Sequence, residues 1–164
     1  MSAPRSRSSA AWPCCRPRPP SRSSTTKRRR RTLAADEALP LRSDEDVVRA
    51  RHKVRELAQQ AGLRLVDQTK FVTAVSELAR NTIIHGGGGR LRAGLMQDGG
   101  RQGVFATFED DGPGIPDIQM ALTDGFSTGT GLGLGFGGAR RLVNEFDARP
   151  NPTGGTVVRV ATWR

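Results

Sequence analysis

Two segments of the chain carry apolar residues at the spacing of an α-helix. In the first, residues 44–62, one helical face would hold Val47, Val54, Leu57 and Ala61. Ser43 followed by Asp46 resembles a capping box at the start of this segment, and Gly62 is a typical residue for a helix end. These signals predict a first helix that begins just after Ser43.

The second helix is predicted from about Asp67 to Ile84. At 100° per residue its buried face would hold Phe71, Val72, Val75, Leu78, Ala79 and Thr82. Glu77 and Asn81 fall about 40° apart, on one edge of this apolar stripe. A carboxylate and a carboxamide there would face whatever lies beside the helix. Two polar residues on a helix surface more often have no functional role, and this pair alone does not show whether it belongs to a functional site.

The remaining pattern predicts strands and glycine-rich loops. Residues 39–43 read as a short extended segment. Arg90–Gln97 and Gly103–Glu109 read as two strands joined by the turn DGGRQ, and GGTVVRVATW alternates as a final strand. The segment GTGLGLGFGGARRLVNEF reads as a glycine loop that enters a helix. This order predicts an α/β domain, an α+β two-layer sandwich with a mixed sheet and helices on one face, over residues 38–164.

Charge separates this domain from the segment before it. Residues 1–35 hold ten of the 26 basic residues and no acidic residue, so 16 basic and 16 acidic residues balance in the rest of the 164-residue chain. Residues 1–37 are rich in Ser, Pro and Arg and are predicted to be a disordered basic tail, or the product of a start site assigned too far upstream. The run KRRRR is the sole candidate for nucleic-acid binding, and nucleic acid is not expected as a partner.

Targeting and redox signals are sparse. The two cysteines, Cys14 and Cys15, are adjacent, lie in the tail and lack metal-ligand spacing. No signal-peptide core and no run of apolar residues long enough for a membrane span is visible. These features predict a cytoplasmic protein with no membrane partner.

Three glycine-containing segments raise the weight given to Glu77 and Asn81. EDDGPGI has the spacing D-x-G-x-G, with Asp110, Gly112 and Gly114 after a predicted strand. Glycines let a backbone approach a flat ligand closely, and the aspartate could accept a hydrogen bond from an exocyclic amine. GTGLGLG lies before a helix, where free N–H groups favour anions, and it lacks the lysine of a phosphate loop. A flexible loop and an acidic turn are the plainer interpretations of these two segments.

Taken together and in this order, the E-x-x-x-N helix, the DxGxG loop, the GTGLGLG loop and the final GT resemble the asparagine box and three glycine boxes of the GHKL ATP-binding superfamily. This superfamily includes gyrase-type ATPases and histidine kinases, and the resemblance covers residues 42–164. Within it, SELARNTIIHGGGG joined to LTDGFSTGTGLGLGFGGARRLVNEFD looks like the bacterial anti-sigma regulatory serine/threonine kinases, closest to the stressosome switch kinases.

The resemblance implies a role for each matching position. Asn81 would bind Mg²⁺ through its side-chain oxygen, and Glu77 would be the general base. Asp110 would hold the adenine amine of ATP, with Gly112 and Gly114 giving the base room and Thr156 supporting the adenine end. The phosphates would lie in a cradle formed by Gly129, Thr130, Gly131, Leu132, Gly133, Leu134 and Gly135.

The implied function is an ATP- and Mg²⁺-dependent protein serine/threonine kinase in a partner-switching stress pathway. Its substrate would be a STAS-domain antagonist protein, and a sigma factor or a PP2C-type phosphatase could be a further partner. One rival is a non-catalytic, ATP-gated module that sequesters a sigma factor or activates a phosphatase. Another is a detached histidine-kinase ATPase domain, which the missing histidine box disfavours. His85 could lie near the phosphates or could simply cap the helix.

Overall fold

The computed structural model describes residues 31–35, 38–115 and 135–164. Within these residues the strands form one sheet, and three helices contribute to a shared apolar core with it. The elements in chain order are β1 (Arg31–Ala35), β2 (Leu39–Leu41), α1 (Asp44–Gln60), α2 (Leu65–Ile84), β3 (Gly89–Asp98), β4 (Arg101–Asp110), α3 (Gly135–Arg141), β5 (Glu145–Pro150) and β6 (Thr156–Trp163).

The sheet has the strand order β1-β3-β4-β6-β5, and β2 also pairs with β3. The predicted two-layer α/β sandwich is confirmed, with one correction. The sequence predicted a mixed sheet, whereas the pairings among the described strands are antiparallel. The connections explain this result. β3 and β4 form a hairpin, as do β5 and β6, and β6 lies between the two strands β4 and β5 that run in the same direction.

The β3–β4 hairpin turns on Gly99 and Gly100, whose φ angles are 57° and 93°. A two-residue turn with positive φ at both positions matches the twist of the strands that it joins, and glycine adopts that conformation without strain. The predicted DGGRQ turn is therefore confirmed. It sets a register in which Gly89 pairs with Asp110 at the far end of the hairpin.

The main core lies between the helices and one face of the sheet. All six residues predicted for the buried face of the second helix are buried, and Ala74 joins them. The apolar residues among them pack in one cluster with Leu91, Val104, Phe108 and Val160 of the sheet. A smaller cluster lies on the opposite face, where it is formed by Met96, Phe105, Ala161 and Trp163. Because strand side chains alternate between faces, the sheet carries apolar residues on both.

The start of α1 is fixed by the predicted capping box. Asp46 Oδ2 accepts hydrogen bonds from the backbone N–H of Arg42 at 3.0 Å and of Ser43 at 3.2 Å. These bonds stabilise the ionised carboxylate and hold the pKa of Asp46 below its ordinary value of 3.8. The bond from the Arg42 N–H has the largest effect.

Three elements differ from the sequence prediction. Arg31–Ala35 lies within the segment predicted to be disordered, yet it forms β1, which pairs with β3. The helix predicted through residue 146 ends at Arg141, and Glu145–Pro150 forms the edge strand β5. α2 begins at Leu65, two residues earlier than predicted. None of the helices in the described part of the chain has the length and hydropathy that a membrane span requires.

Candidate functional site

The predicted polar pair lies on one edge of α2, beside its buried face. The Glu77 side chain is 16% exposed and Asn81 is half-buried. Arg80 Nη1 lies 3.9 Å from Glu77 Oε1, which is a long distance for an ion pair. The predicted position of Glu77 and Asn81 at the margin of the core is therefore confirmed, and their chemical roles remain predictions.

Asp110 occupies the last position of β4, where its carboxylate is held by backbone donors. Its Oδ1 accepts the N–H of Gly112 at 3.1 Å and the N–H of Thr156 at 3.2 Å. Its Oδ2 accepts no hydrogen bond from the described residues. One carboxylate oxygen is thus fixed by the protein, while the other retains its capacity to accept a hydrogen bond from a ligand.

Glycines make this arrangement possible because side chains at their positions would collide with Asp110 or its neighbours. A Cβ at Gly86 would lie 2.6 Å from Asp110 Cβ, and a Cβ at Gly155 would lie 2.6 Å from Asp110 Oδ1. A Cβ at Gly112 would lie 2.7 Å from the α carbon of Gly86. Real Cβ atoms do not approach other atoms this closely, so the three loops meet at Asp110 only because these residues lack side chains.

The same contacts bring the end of α2 to Asp110. Gly86 donates its N–H to the Thr82 carbonyl oxygen at 3.1 Å, and Thr82 is buried on the helix next to Asn81. Gly86 therefore touches both the last turn of α2 and the Asp110 side chain. His85 is the C-cap residue of this helix, with its N–H donated to the Asn81 carbonyl at 2.9 Å.

The other predicted positions divide into two groups. Thr156 is buried at the start of β6 and donates its N–H to Asp110. Gly114 lies beside the Gly155 carbonyl and has a φ of 77°. Gly135 is the first residue of α3 and has a φ of 61°. The six preceding positions of the predicted phosphate cradle lie outside the described residues, namely Gly129, Thr130, Gly131, Leu132, Gly133 and Leu134.

A groove of about 710 Å³ also opens along the glycine run that follows α2. Its lining includes Gly86–Gly89 with Arg42, Glu109 and Asp111, and it does not include Glu77, Asn81 or Asp110. This volume is therefore a neighbour of the predicted site and not the site itself. Arg90 Nε pairs with Glu109 Oε2 at 2.6 Å in the same region.

Sequence reasoning missed three residues that contact Asp110. Gly86 and Gly155 belong to the runs HGGGG and GGT, and the sequence analysis assigns these two glycines no role. The third is Asn151, whose Nδ2 donates to the Asp110 carbonyl oxygen at 3.1 Å. The glycine runs were a usable signal, since a close backbone approach often requires glycine. The Asn151 contact spans 41 positions of sequence and has no local signal.

Comparisons with known proteins place most of this chain in one family. Residues 66–164 match the family described as "Histidine kinase-, DNA gyrase B-, and HSP90-like ATPase". The chain is 42% identical over 118 residues to the serine/threonine-protein kinase RsbT of Bacillus subtilis (strain 168), a match that spans 72% of this chain and 89% of that protein.

Anti-sigma F factors are also similar. That of Heyndrickxia coagulans is 31% identical over 120 residues, which is 68% of this chain and 80% of that protein. That of Bacillus licheniformis is 29% identical over 118 residues, with the same two shares. The family match covers more than half of the chain and includes α2 from its second residue, Asp110 and Thr156. This chain belongs to the GHKL family of histidine kinase-, DNA gyrase B- and HSP90-like ATPases.

Proposed function

We propose that this chain is an ATP-dependent protein serine/threonine kinase that acts as an anti-sigma regulatory switch. Membership of an ATPase family supports the use of ATP. The similarity to a serine/threonine-protein kinase supports the kinase activity, and the similarity to anti-sigma F factors supports the role as a regulatory switch. The observation that carries the proposal is Asp110, whose carboxylate is fixed at one oxygen and open at the other beside the last turn of α2.

In this proposal Asp110 recognises the adenine of ATP. Its Oδ2 accepts a hydrogen bond from the exocyclic amine, while Thr156 and Gly112 hold Oδ1. The loop at Gly112 and Gly114 offers backbone without side chains, which lets a flat base approach. The segment from Gly129 to Gly135 cradles the phosphates, an assignment that rests on the resemblance of its sequence to the family's glycine box.

Asn81 is proposed as the protein ligand for Mg²⁺. A carboxamide oxygen is a hard ligand of the type that Mg²⁺ accepts, and the half-buried Asn81 side chain has no hydrogen-bond partner among the described residues. No group of three His, Cys, Asp or Glu side chains in those residues could hold a metal ion. The nucleotide phosphates would therefore supply further ligands, and the ion would neutralise part of their charge.

Glu77 is proposed as the general base. A serine or threonine hydroxyl of the substrate protein attacks the γ-phosphorus of ATP, and the bond from that phosphorus to the β,γ-bridging oxygen breaks. ADP leaves, and the hydroxyl proton passes to the Glu77 carboxylate. Glu77 lies one helical turn before Asn81 on the same edge, so both can serve one nucleotide. Positioning and charge stabilisation supply most of the catalysis in such a transfer.

The proposed substrate is a STAS-domain antagonist protein, with a sigma factor or a PP2C-type phosphatase as a further partner. The test is transfer of labelled γ-phosphate to candidate STAS proteins, each paired with a variant in which the acceptor serine or threonine is alanine. Label on the parent substrate alone supports the kinase.

The similarity to anti-sigma F factors favours one alternative, an ATP-gated module that sequesters a sigma factor. ATP-dependent binding of a sigma factor without transfer to any STAS protein would favour this alternative over the kinase.

A further inference from the structure

The Asn151 side chain joins the turn between β5 and β6 to the end of β4. Asn151 is half-buried, and its Nδ2 donates to the Asp110 carbonyl oxygen at 3.1 Å. The backbone of Asn151 also closes the turn. Its N–H donates to the Gly155 carbonyl at 3.0 Å, and its own carbonyl accepts the N–H of Gly154 at 3.0 Å. A movement of Asn151 would therefore move both the turn and its attachment to Asp110.

The same turn also carries groups that contact the Asp110 carboxylate and main chain. The turn leads directly into Thr156, whose N–H occupies Oδ1 at 3.2 Å. Gly155, in the same turn, packs against the Asp110 main chain. A Cβ added to Gly155 would lie 2.6 Å from the Asp110 carbonyl carbon. The Asp110 main chain is thus held by the Asn151 side chain, and its Oδ1 is held by the Thr156 N–H. Both of the hydrogen bonds that the described residues make to this carboxylate go to Oδ1, so Oδ2 keeps its capacity to accept one from a ligand.

A second, weaker set of contacts joins the same turn to Asp111. Thr153 Oγ1 lies 3.4 Å from Asp111 Oδ1, and Asn151 Nδ2 lies 3.5 Å from the same oxygen. Thr153 and Asp111 are exposed, so their bond competes with water. Thr153 thus offers a control, since it ties the same turn to the same loop without touching Asp110.

We propose that Asn151 is a positioning residue for recognition of the purine amino group. Its amide fixes the main chain of Asp110, so that Oδ1 stays with the backbone donors and Oδ2 stays directed to the exocyclic amine of ATP. The inference rests on the proposed function, in which Asp110 is the adenine contact. It assigns a selective role to Asn151, beyond closure of the turn.

A pair of nucleotides separates these two roles. Purine riboside triphosphate has the phosphates, ribose and purine ring of ATP and lacks the 6-amino group. If Asn151 acts by positioning Asp110, its loss weakens ATP binding and leaves binding of the amino-free analogue nearly unchanged. If Asn151 only closes the turn, its loss weakens both nucleotides by the same factor.

The experiment titrates both nucleotides, with Mg²⁺, into the full chain and into N151A, N151D and T153V. N151D keeps the size of the side chain and removes the donor, which gives a second variant in case N151A does not fold by circular dichroism. The parent is expected to prefer ATP by about tenfold or more, since one hydrogen bond to a charged group contributes about 1.5–3 kcal/mol. Both Asn151 variants should reduce this preference to about threefold or less, and T153V should keep it.

An ATP preference that persists in the folded Asn151 variants would overturn the inference and leave the role of Asp110 intact. A parent that binds the two nucleotides equally would overturn the proposed role of Asp110, and with it the inference. The two failures are therefore distinguishable in one set of titrations.

Discussion

The substitution G86A tests the geometry of the site most sharply. Gly86 has an ordinary φ angle, so alanine introduces no backbone strain there. Its Cβ, however, would lie 2.6 Å from both Asp110 Cβ and the Thr82 carbonyl oxygen, and 2.7 Å from Asp110 Cγ. The methyl group can be accommodated only if Asp110 or the end of α2 moves.

The size of the effect follows from what such a movement breaks. Overpacking of this kind costs about 1–3 kcal/mol of stability. A displaced Asp110 also loses its bond to adenine, and a hydrogen bond to a charged group contributes about 1.5–3 kcal/mol. That energy corresponds to about tenfold to 150-fold in ATP affinity. We therefore expect G86A to remain folded and to bind ATP at least tenfold more weakly than the parent.

The matched control is G87A, one residue later in the same loop. No heavy atom lies within 4 Å of a Cβ at Gly87, but its φ of 69° is unfavourable for alanine. G87A should lose about 1–2 kcal/mol of stability and keep its ATP affinity. Thermal melts and calorimetric ATP titrations of both variants give the two readouts. A folded G86A that binds ATP as tightly as the parent would refute the packing of Gly86 on Asp110.

Three further predictions concern other parts of the molecule. D110A should weaken ATP binding about tenfold to 150-fold. D111A loses only long contacts with the β5–β6 turn and should change the ATP affinity measured by calorimetry little. Equal losses in the two variants would mean that Asp110 is not the adenine contact. D46N should lower the melting temperature at neutral pH. Since the pKa of Asp46 is held below 3.8, this contribution is complete above 3.8 and is lost as the pH falls through the lower folded-state pKa, so melts of parent and variant should converge in acid. Removal of residues 1–30 should leave the ATP affinity measured by calorimetry unchanged. Removal of residues 1–37 also deletes β1 and should lower the free energy of unfolding by about 1–2 kcal/mol, which denaturant titrations would detect or exclude.

The helices and the hairpin could be predicted because their signals are local. α1 has a capping box and α2 has a wide apolar stripe, so both were placed within two residues at their starts. The turn at Gly99 and Gly100 requires a positive φ at both residues, and two consecutive glycines between strand-like segments predict such a turn. Glu77 and Asn81 were placed on one helix edge by the same periodicity.

The edge strands could not be predicted because their stability comes from a partner. β5 alternates Phe146 and Ala148 with charged residues, but this signal is only six residues long and directly follows a helical pattern, and the strand is held by its pairing with β6. β1 lies in a basic segment of low hydrophobicity and is held by β3. Tertiary pairing overrides local propensity in both strands.

The candidate site was predicted as far as its motifs reach. The DxGxG spacing located Asp110, and the final GT located Thr156, which the structure joins through one hydrogen bond. The supports Gly86, Gly155 and Asn151 come from three separate loops. Their convergence depends on the sheet register that pairs Gly89 with Asp110 and Thr156 with Pro150, which no local pattern contains.

The most direct test of the account is single-turnover phosphoryl transfer by E77Q to the serine of a STAS-domain substrate. Glutamine keeps the size of Glu77 and an acceptor oxygen but is not a useful base. We expect unchanged affinity for ATP with Mg²⁺ and a transfer rate about 10²- to 10⁴-fold below that of the parent. E56Q, the same change at an exposed position of α1, should transfer at the parent rate. An E77Q protein that transfers phosphate as fast as the parent would contradict the assignment of Glu77 as the base.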